Sequence, residues 1–265
     1  MAISPTTSPR PRRAPAPARP VTLAIDIGGT GLKASALDAA GTMLTDRVRI
    51  ETAYPCPPAD LVTRLTELTR PLPRWDRVSV GFPGVIRHGR VLSAPHFVTT
   101  AGPGTKVGPA LVTAWANFDL AEALQRTLHK PVRVINDADL QGLDVITGVG
   151  VELVVTLGTG VGTAVFSDGR LGPRLELSHH PLRHGRSYNE ELGDAARKQI
   201  GKATWNKRVR RCFDVLDALM FPDQIYVGGG NARHLVGDLP EKVTLIDQNA
   251  GILGGLKLWA LDDAG

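Results

Sequence analysis

Twice along this chain an apolar, strand-forming run breaks into a glycine turn and resumes as a second strand-forming run. The two stretches are AIDIGGTGLKASAL at 24–37 and VVTLGTGVGTAVF at 154–166. Glycine lets the backbone take positive φ, and successive amide N–H groups in such a turn form a nest for an anion. Gly28, Gly29, Thr30 and Gly31 make the first turn; Gly158, Thr159 and Gly160 begin the second. The match is too short to establish a duplication, but it points to two α/β lobes that each present a backbone turn to one shared cleft. A Walker A loop is excluded because the lysine, Lys33, directly follows Leu32 rather than a glycine. A dinucleotide fingerprint is excluded because Thr163 to Phe166 reads as strand where that motif needs a helix.

The rest of the chain fits the same grammar. Strands are predicted over 21–27, 32–37, 42–50, 78–82 and 132–135, with a helix from about 59 to 69 on the spacing of Leu61, Leu65 and Leu68. Residues 94–110 are rich in Gly, Pro and Thr and read as a long mobile loop. Asp119 is the expected N-cap of a helix running to about Leu128. The second half gives strands at 151–157, 163–166 and 225–227, a hairpin signal at Asp168-Gly169, and helical patterns at about 188–200, 205–220 and 250–260. The expected organisation is a tail (1–20), a first lobe (21–138) and a second lobe (139–249), with the helix at 250–265 packing back on the first.

The net charge of +5 could suggest a nucleic-acid partner. Residues 1–20, however, hold four arginines, six prolines and no acid, and without them 27 basic residues face 26 acidic ones. The body is nearly neutral, so nucleic-acid binding is not expected. The tail reads as extended and solvated, with contact to a polyanion as the alternative. No apolar run nears the roughly 20 residues of a bilayer span, and no membrane association is expected. Cys56 and Cys212 lie far apart in no CxxC pair, which fits a reducing cytoplasm.

Asp26 ends its strand just before the first turn. It suits a magnesium ion held directly or through water, or else simply caps the turn. Lys33 either neutralises phosphate charge or is a surface lysine. Gly228, Gly229 and Gly230 follow a strand and precede 232–239, a strand-to-helix junction that could lie along a phosphate chain or be a plain turn.

Taken together, DIGGTGLK, GFPGVI, VINDAD, TLGTGVG, the Glu-x-x-His of 176–179 and VGGGN stand in the order seen in ROK-family sugar kinases. From residue 21 onward the chain resembles that family, and its polyphosphate glucokinase branch in particular. The resemblance implies an actin-like, hexokinase-type (ribonuclease H-like) α/β fold of two lobes around a central cleft. It makes Asp137 the general base and gives Asn136 contacts to sugar hydroxyls. Glu176 and His179 correspond to the family's sugar-gripping Glu-x-Gly-His element, with Ser178 where the family has glycine. A second sugar-binding acid is expected at Glu190, with Glu191 the other candidate. The neighbouring His180 and His184 then read as loop residues rather than zinc ligands, since Pro181 breaks any helix that would align them.

The implied reaction moves the terminal phosphoryl group of polyphosphate or ATP to the 6-hydroxyl of glucose with Mg2+, in a cytoplasmic homodimer. The alternatives are an ATP-dependent kinase for mannose, fructose or an N-acetylhexosamine, and a non-catalytic sugar sensor. A DNA-binding repressor of this type would need a helix-turn-helix before the fold, and the tail is too short and proline-broken to supply one.

Overall fold

The computed structural model describes residues 19–247 and 249–261. The tail predicted over 1–20 lies almost wholly outside the described residues.

In the first half, β1 (Thr22–Ile27), β2 (Leu32–Leu37) and β3 (Val48–Ile50) form an antiparallel meander, followed by α1 (Pro58–Thr69) and β4 (Arg77–Phe82). A small ribbon of β5 (Ile86–Arg87), β6 (Arg90–Val91) and β7 (Phe118–Asp119) carries α2 (Pro109–Trp115) and leads into α3 (Leu120–Leu128). Then come β8 (Val132–Asn136) and α4 (Asp137–Val145). Asp119 caps α3 as predicted, accepting from the Glu122 amide. The third strand is shorter than the predicted 42–50, with only an isolated bridge from Met43 to Leu37 before Val48.

The second half repeats the plan. It runs β9 (Val151–Leu157), β10 (Val161–Ser167), β11 (Arg170–Leu171), the hairpin β12 (Pro181–Arg183) and β13 (Arg186–Ser187), α5 (Tyr188–Leu192), α6 (Asp194–Ile200), α7 (Lys202–Met220), β14 (Gln224–Gly228), β15 (Val243–Leu245) and α8 (Ala250–Lys257). Asp168 and Gly169 both take positive φ at the tip of the β10–β11 hairpin, as that dipeptide predicts. No helix follows the triple glycine. A single 3-10 turn, Ala232–His234, replaces the predicted 232–239, because Gly237 at φ 72° and Pro240 break the run.

The two main sheets have one topology. The orders are β3-β2-β1-β4-β8 and β11-β10-β9-β14-β15, each with antiparallel pairing on one side of the central strand and parallel pairing on the other. Alternation along each central strand divides its side chains between two cores. Leu23, Ile25 and Ile27 face the core under α1 and α3, whereas Ala24 faces Ile252 of α8. Leu153, Val155 and Leu157 face Trp205, Val209 and Phe213 of α7, whereas Val154 faces Leu140 and Leu143 of α4. Helices α4 and α8 therefore fill the space between the sheets.

That middle layer depends on glycine. A Cβ on Gly254 of α8 would stand 1.8 Å from the Leu140 carbonyl oxygen, and one on Gly251 would stand 3.4 Å from the Asp26 carboxyl carbon. The two helices touch along their backbones, which only a side-chain-free position permits.

Residues 94–110 are anchored rather than free. Phe97 is fully buried, stacks on Phe82 at 5.4 Å and packs at a tilt against Trp115 at 5.4 Å, and a bridge joins Thr99 to Val107. The single aromatic side chain pins a loop whose composition alone suggests mobility.

Candidate active site

Between the glycine-turn ends of the two sheets lies a cleft of about 700 Å³, lined at its floor by Asp26, Asn136 and Asp137 and on its walls by the glycine turns of both halves. Each turn closes on itself in the same way, Gly28 N–H donating to the Gly31 carbonyl (3.0 Å) and Gly158 N–H to the Gly160 carbonyl (2.9 Å). Gly28, Gly29, Thr30, Gly158, Thr159, Gly160, Gly229 and Gly230 all reach the cleft. Above Gly158 and Gly230 nothing stands within 4 Å of where a Cβ would be, so the space over their backbone is free for a ligand. Gly31 and Gly228 do not line it. Gly31 lies under the Arg49 guanidinium and Gly228 under Gln141 and Ile246.

Asn136 ends β8 and caps α4. Its amide oxygen accepts from Ala138 N (2.9 Å) and Asp139 N (3.3 Å), and its amide nitrogen donates to the Gly84 carbonyl (3.0 Å). The side chain is thereby committed to holding the start of α4, which fixes the next residue, Asp137, at the cleft floor. Asn136 itself also lines the cleft.

Asp137 is a carboxyl group under strong pressure to stay protonated. Loss of hydration is the leading cause, the negative charge of Asp26 the next, and Asp139 and Glu176 add to it; a bond from the Ala138 amide works the other way. The result is a pKa pushed up to about 8. A group that holds its proton this tightly suits proton abstraction from an alcohol better than an ordinary surface carboxylate does. Asp26 itself is paired with Lys33 at 2.8 Å. Asp139 lies behind, buried, with its pKa raised to about 7 by burial against the opposing pull of Arg174, 3.6 Å away.

Glu176 lines the cleft with Ser178, whose hydroxyl sits 3.4 Å from Glu176 Oε2. His179 does not reach it. The 3-10 turn Leu177–His179 places Ser178 inward and leaves His179 exposed. Glu190 also lies outside, because it is the N3 residue of α5 and its carboxylate closes a capping box with Ser187. Glu191 is buried on the far side of α5 between Arg186 and Arg208.

The α5 residue that does line the cleft is Asn189, whose Oδ1 accepts from the Val161 amide at 2.7 Å. From the opposite side Asn231 donates to the Gly158 carbonyl at 2.8 Å. These two asparagines brace the second glycine turn. Asn231 was within reach of sequence reasoning, as the last letter of GGGN; Asn189 carried no signal, lying beside the two glutamates that drew attention.

The cleft is also cationic. Lys33, Arg47 and Arg49 line it from the first half, and Arg197, Lys198 and Arg233 from the second. Asp194 offsets part of this by pairing with Arg197 and Lys198, each at 2.7 Å. Among the described residues no group of three or more His, Cys, Asp or Glu side chains could hold a metal ion by itself.

Comparison with known proteins is consistent with this geometry. The ROK family model matches residues 22–173. A polyphosphate glucokinase of Mycobacterium tuberculosis (strain CDC 1551 / Oshkosh) is 27% identical over 248 residues, covering 87% of this chain and 88% of that protein. The crystal structure of inorganic polyphosphate/ATP-glucomannokinase from Arthrobacter sp. strain KM superposes with a TM-score of 0.76 at 30% identity, over 91% of this chain and 98% of the other. A ROK family glucokinase from Streptomyces griseus, in complex with glucose and AMPPNP, shares the fold with a TM-score of 0.66 at 18% identity, over 90% and 98%. The architecture is the actin-like, hexokinase-type fold.

Proposed function

The chain belongs to the ROK family, and from that premise we propose that it is a sugar kinase whose donor is inorganic polyphosphate, with ATP as the lesser donor, and whose acceptor is the 6-hydroxyl of glucose. The observation that carries the reading is Asp137: a carboxyl of raised proton affinity, fixed at the start of α4, facing backbone turns open to phosphate.

Asp137 takes the proton of the attacking hydroxyl while Glu176 and Ser178 hold the sugar. The free amides of the two glycine turns and the ring of cations steady the phosphates. Phosphoryl transfer demands little covalent help from protein, so positioning and charge are what these residues supply. The donor preference follows from the lining. On the second-half side the lining among the described residues is made of glycines and of polar and charged side chains, Arg197, Lys198, Asn231 and Arg233 among them, with Val161 the sole aliphatic side chain and no aromatic ring. A purine needs apolar or aromatic faces to stack on, whereas a phosphate chain needs only amides and cations.

Magnesium fits the donor set. Mg2+ is commonly held by one or two carboxylates with phosphate oxygens and water, so Asp26, directly or through water, would hold it beside the phosphates. When bound, the ion would neutralise phosphate charge. We further propose that the lobes divide within α4 at about residue 138, that α8 moves with the first lobe, and that the enzyme works as a homodimer in the cytoplasm.

The test is production of glucose 6-phosphate with Mg2+ and either donor. Turnover with polyphosphate exceeding that with ATP supports the reading. Turnover only with ATP refutes the donor assignment. No turnover with glucose, mannose, fructose or N-acetylglucosamine refutes the kinase itself.

A further inference from the structure

A second cavity, of about 480 Å³, lies away from the cleft between α7 and the β12–β13 hairpin. Thr204, Lys207, Arg208 and Arg211 face it from one stripe of α7, at the i, i+3, i+4 and i+7 spacing of a single helix face. Arg183 and His184 face it from the hairpin and Leu182 and Glu191 form its floor. Four permanent cations thus surround one carboxylate. That carboxylate is already shared with Arg186, 3.2 Å away, from outside the cavity.

The pairing inside is incomplete. Arg208 Nη1 is 2.9 Å from Glu191 Oε2, but the approach is off the hydrogen-bonding direction, and the buried Nε and Nη1 donate to no acceptor. Arg183, Lys207 and Arg211 are exposed and form no ion pair among the described residues. Lys207 and Arg211 are also like charges at i, i+4, which destabilises a helix. A concave site with excess positive charge and unused guanidinium donors is complementary to a multiply charged oxyanion.

We propose that this cavity is a second anion site that takes a phosphate-bearing ligand, either the end of a phosphate chain or a phosphate monoester. The charge selects the class: one singly charged carboxylate would leave most of the cations unmatched. The size admits a sugar phosphate or a few linked phosphates. The site is separated from the cleft by α5, which contributes Asn189 to the cleft and Glu191 to the cavity. An anion here would therefore act on the helix that braces the second glycine turn. The site stands on its own residues and not on the reading of the cleft.

Calorimetric titration of the full chain tests it, with tripolyphosphate, glucose 6-phosphate and, as a control for bare charge, sulfate. The variants are Lys207→Ala/Arg211→Ala on α7 and Arg183→Ala on the hairpin, with Lys198→Ala/Arg233→Ala marking the cleft. Wild type should bind at least one phosphate probe at a site that survives the cleft variant, weakened about tenfold or more in both cavity variants. Binding of tripolyphosphate alone identifies a chain end, and binding of glucose 6-phosphate alone a monoester; either supports the proposal. Unchanged stoichiometry and affinity in both cavity variants overturns it, as does equal binding of sulfate. A chain that binds at the cavity but turns over no sugar refutes the kinase reading and leaves this one standing.

Discussion

Replacing Asp137 with asparagine should remove activity and stabilise the free protein above about pH 5. The carboxyl has an ordinary pKa near 3.9 in the unfolded chain and one of about 8 in the folded chain. Between those values the folded state binds more protons than the unfolded state, so stability falls as pH rises and levels off above about 8. Each unit is about 1.4 kcal/mol, so the rise from pH 5 to 7.5 removes at most about 3.4 kcal/mol. Solvent entering the cleft reduces this to on the order of 2 kcal/mol. Asparagine keeps the shape and cannot ionise. At pH 5 the variant and wild type should therefore melt within about 2 °C of each other. At pH 7.5 the variant should melt about 4–8 °C higher, the shift that 2 kcal/mol gives a domain of this size. Asp139 slopes in the same direction but is common to both proteins. Differential scanning calorimetry across pH 5–8 without ligands measures the gap. A gap that is constant with pH, or a variant less stable at pH 7.5, would show that burial and the Asp26 charge do not act on Asp137 as described. Loss of the base should meanwhile lower turnover by about 10²–10⁴-fold.

Four further outcomes follow from the same geometry. The pH profile of kcat/KM should rise toward an apparent pKa near 8, and Glu176→Gln, by removing one of the charges that raise Asp137, should move that limb to lower pH. Ser178→Gly frees Glu176 from its neighbouring hydroxyl and should change the KM for glucose several-fold with little effect on kcat, as steady-state kinetics will show. Lys198→Ala/Arg233→Ala should raise the KM for polyphosphate more than that for ATP, with a weaker dependence on salt. Gly254→Ala drives a methyl group into the Leu140 carbonyl and should destabilise the fold by about 3 kcal/mol, read by urea denaturation.

How much of this could be read from the sequence depended on distance along the chain. Local features were legible: the strand–turn–strand units, the Asp119 cap and the Asp168-Gly169 hairpin each announce themselves within a few residues. So was the placement of Asp137, since a strand ending in Asn-Asp puts the cap and the acid in fixed succession. Pairings between remote segments were not. Nothing in NEEL says that Asn189, rather than either glutamate, turns toward Val161, because the capping box that diverts Glu190 is set by where α5 begins. The inward face of Ser178 depends on a 3-10 turn that Pro181 ends, not on the Glu-x-x-His spacing. The glycines of α8 signal flexibility in a sequence, yet in the fold they signal contact.

The position of α8 also bears on how the protein is made. Its residues cover the inner face of the first sheet, and just beyond them Trp259 donates to Ser79 at 2.8 Å while Arg133 holds the Leu258 and Leu261 carbonyls, each at 2.9 Å. The strands of the first sheet are all synthesised by residue 136, but the helix that seals them does not begin until residue 250. Until then Ala24 and Leu37 lack Ile252 as a partner on that face, and the growing chain carries an open sheet from residue 136 to residue 250. Closure of the cleft floor at Asp26 thus waits for α8, whose Gly251 packs against that carboxyl group. A chain that stops between residues 234 and 249 has every cleft residue named above and an unsealed first sheet.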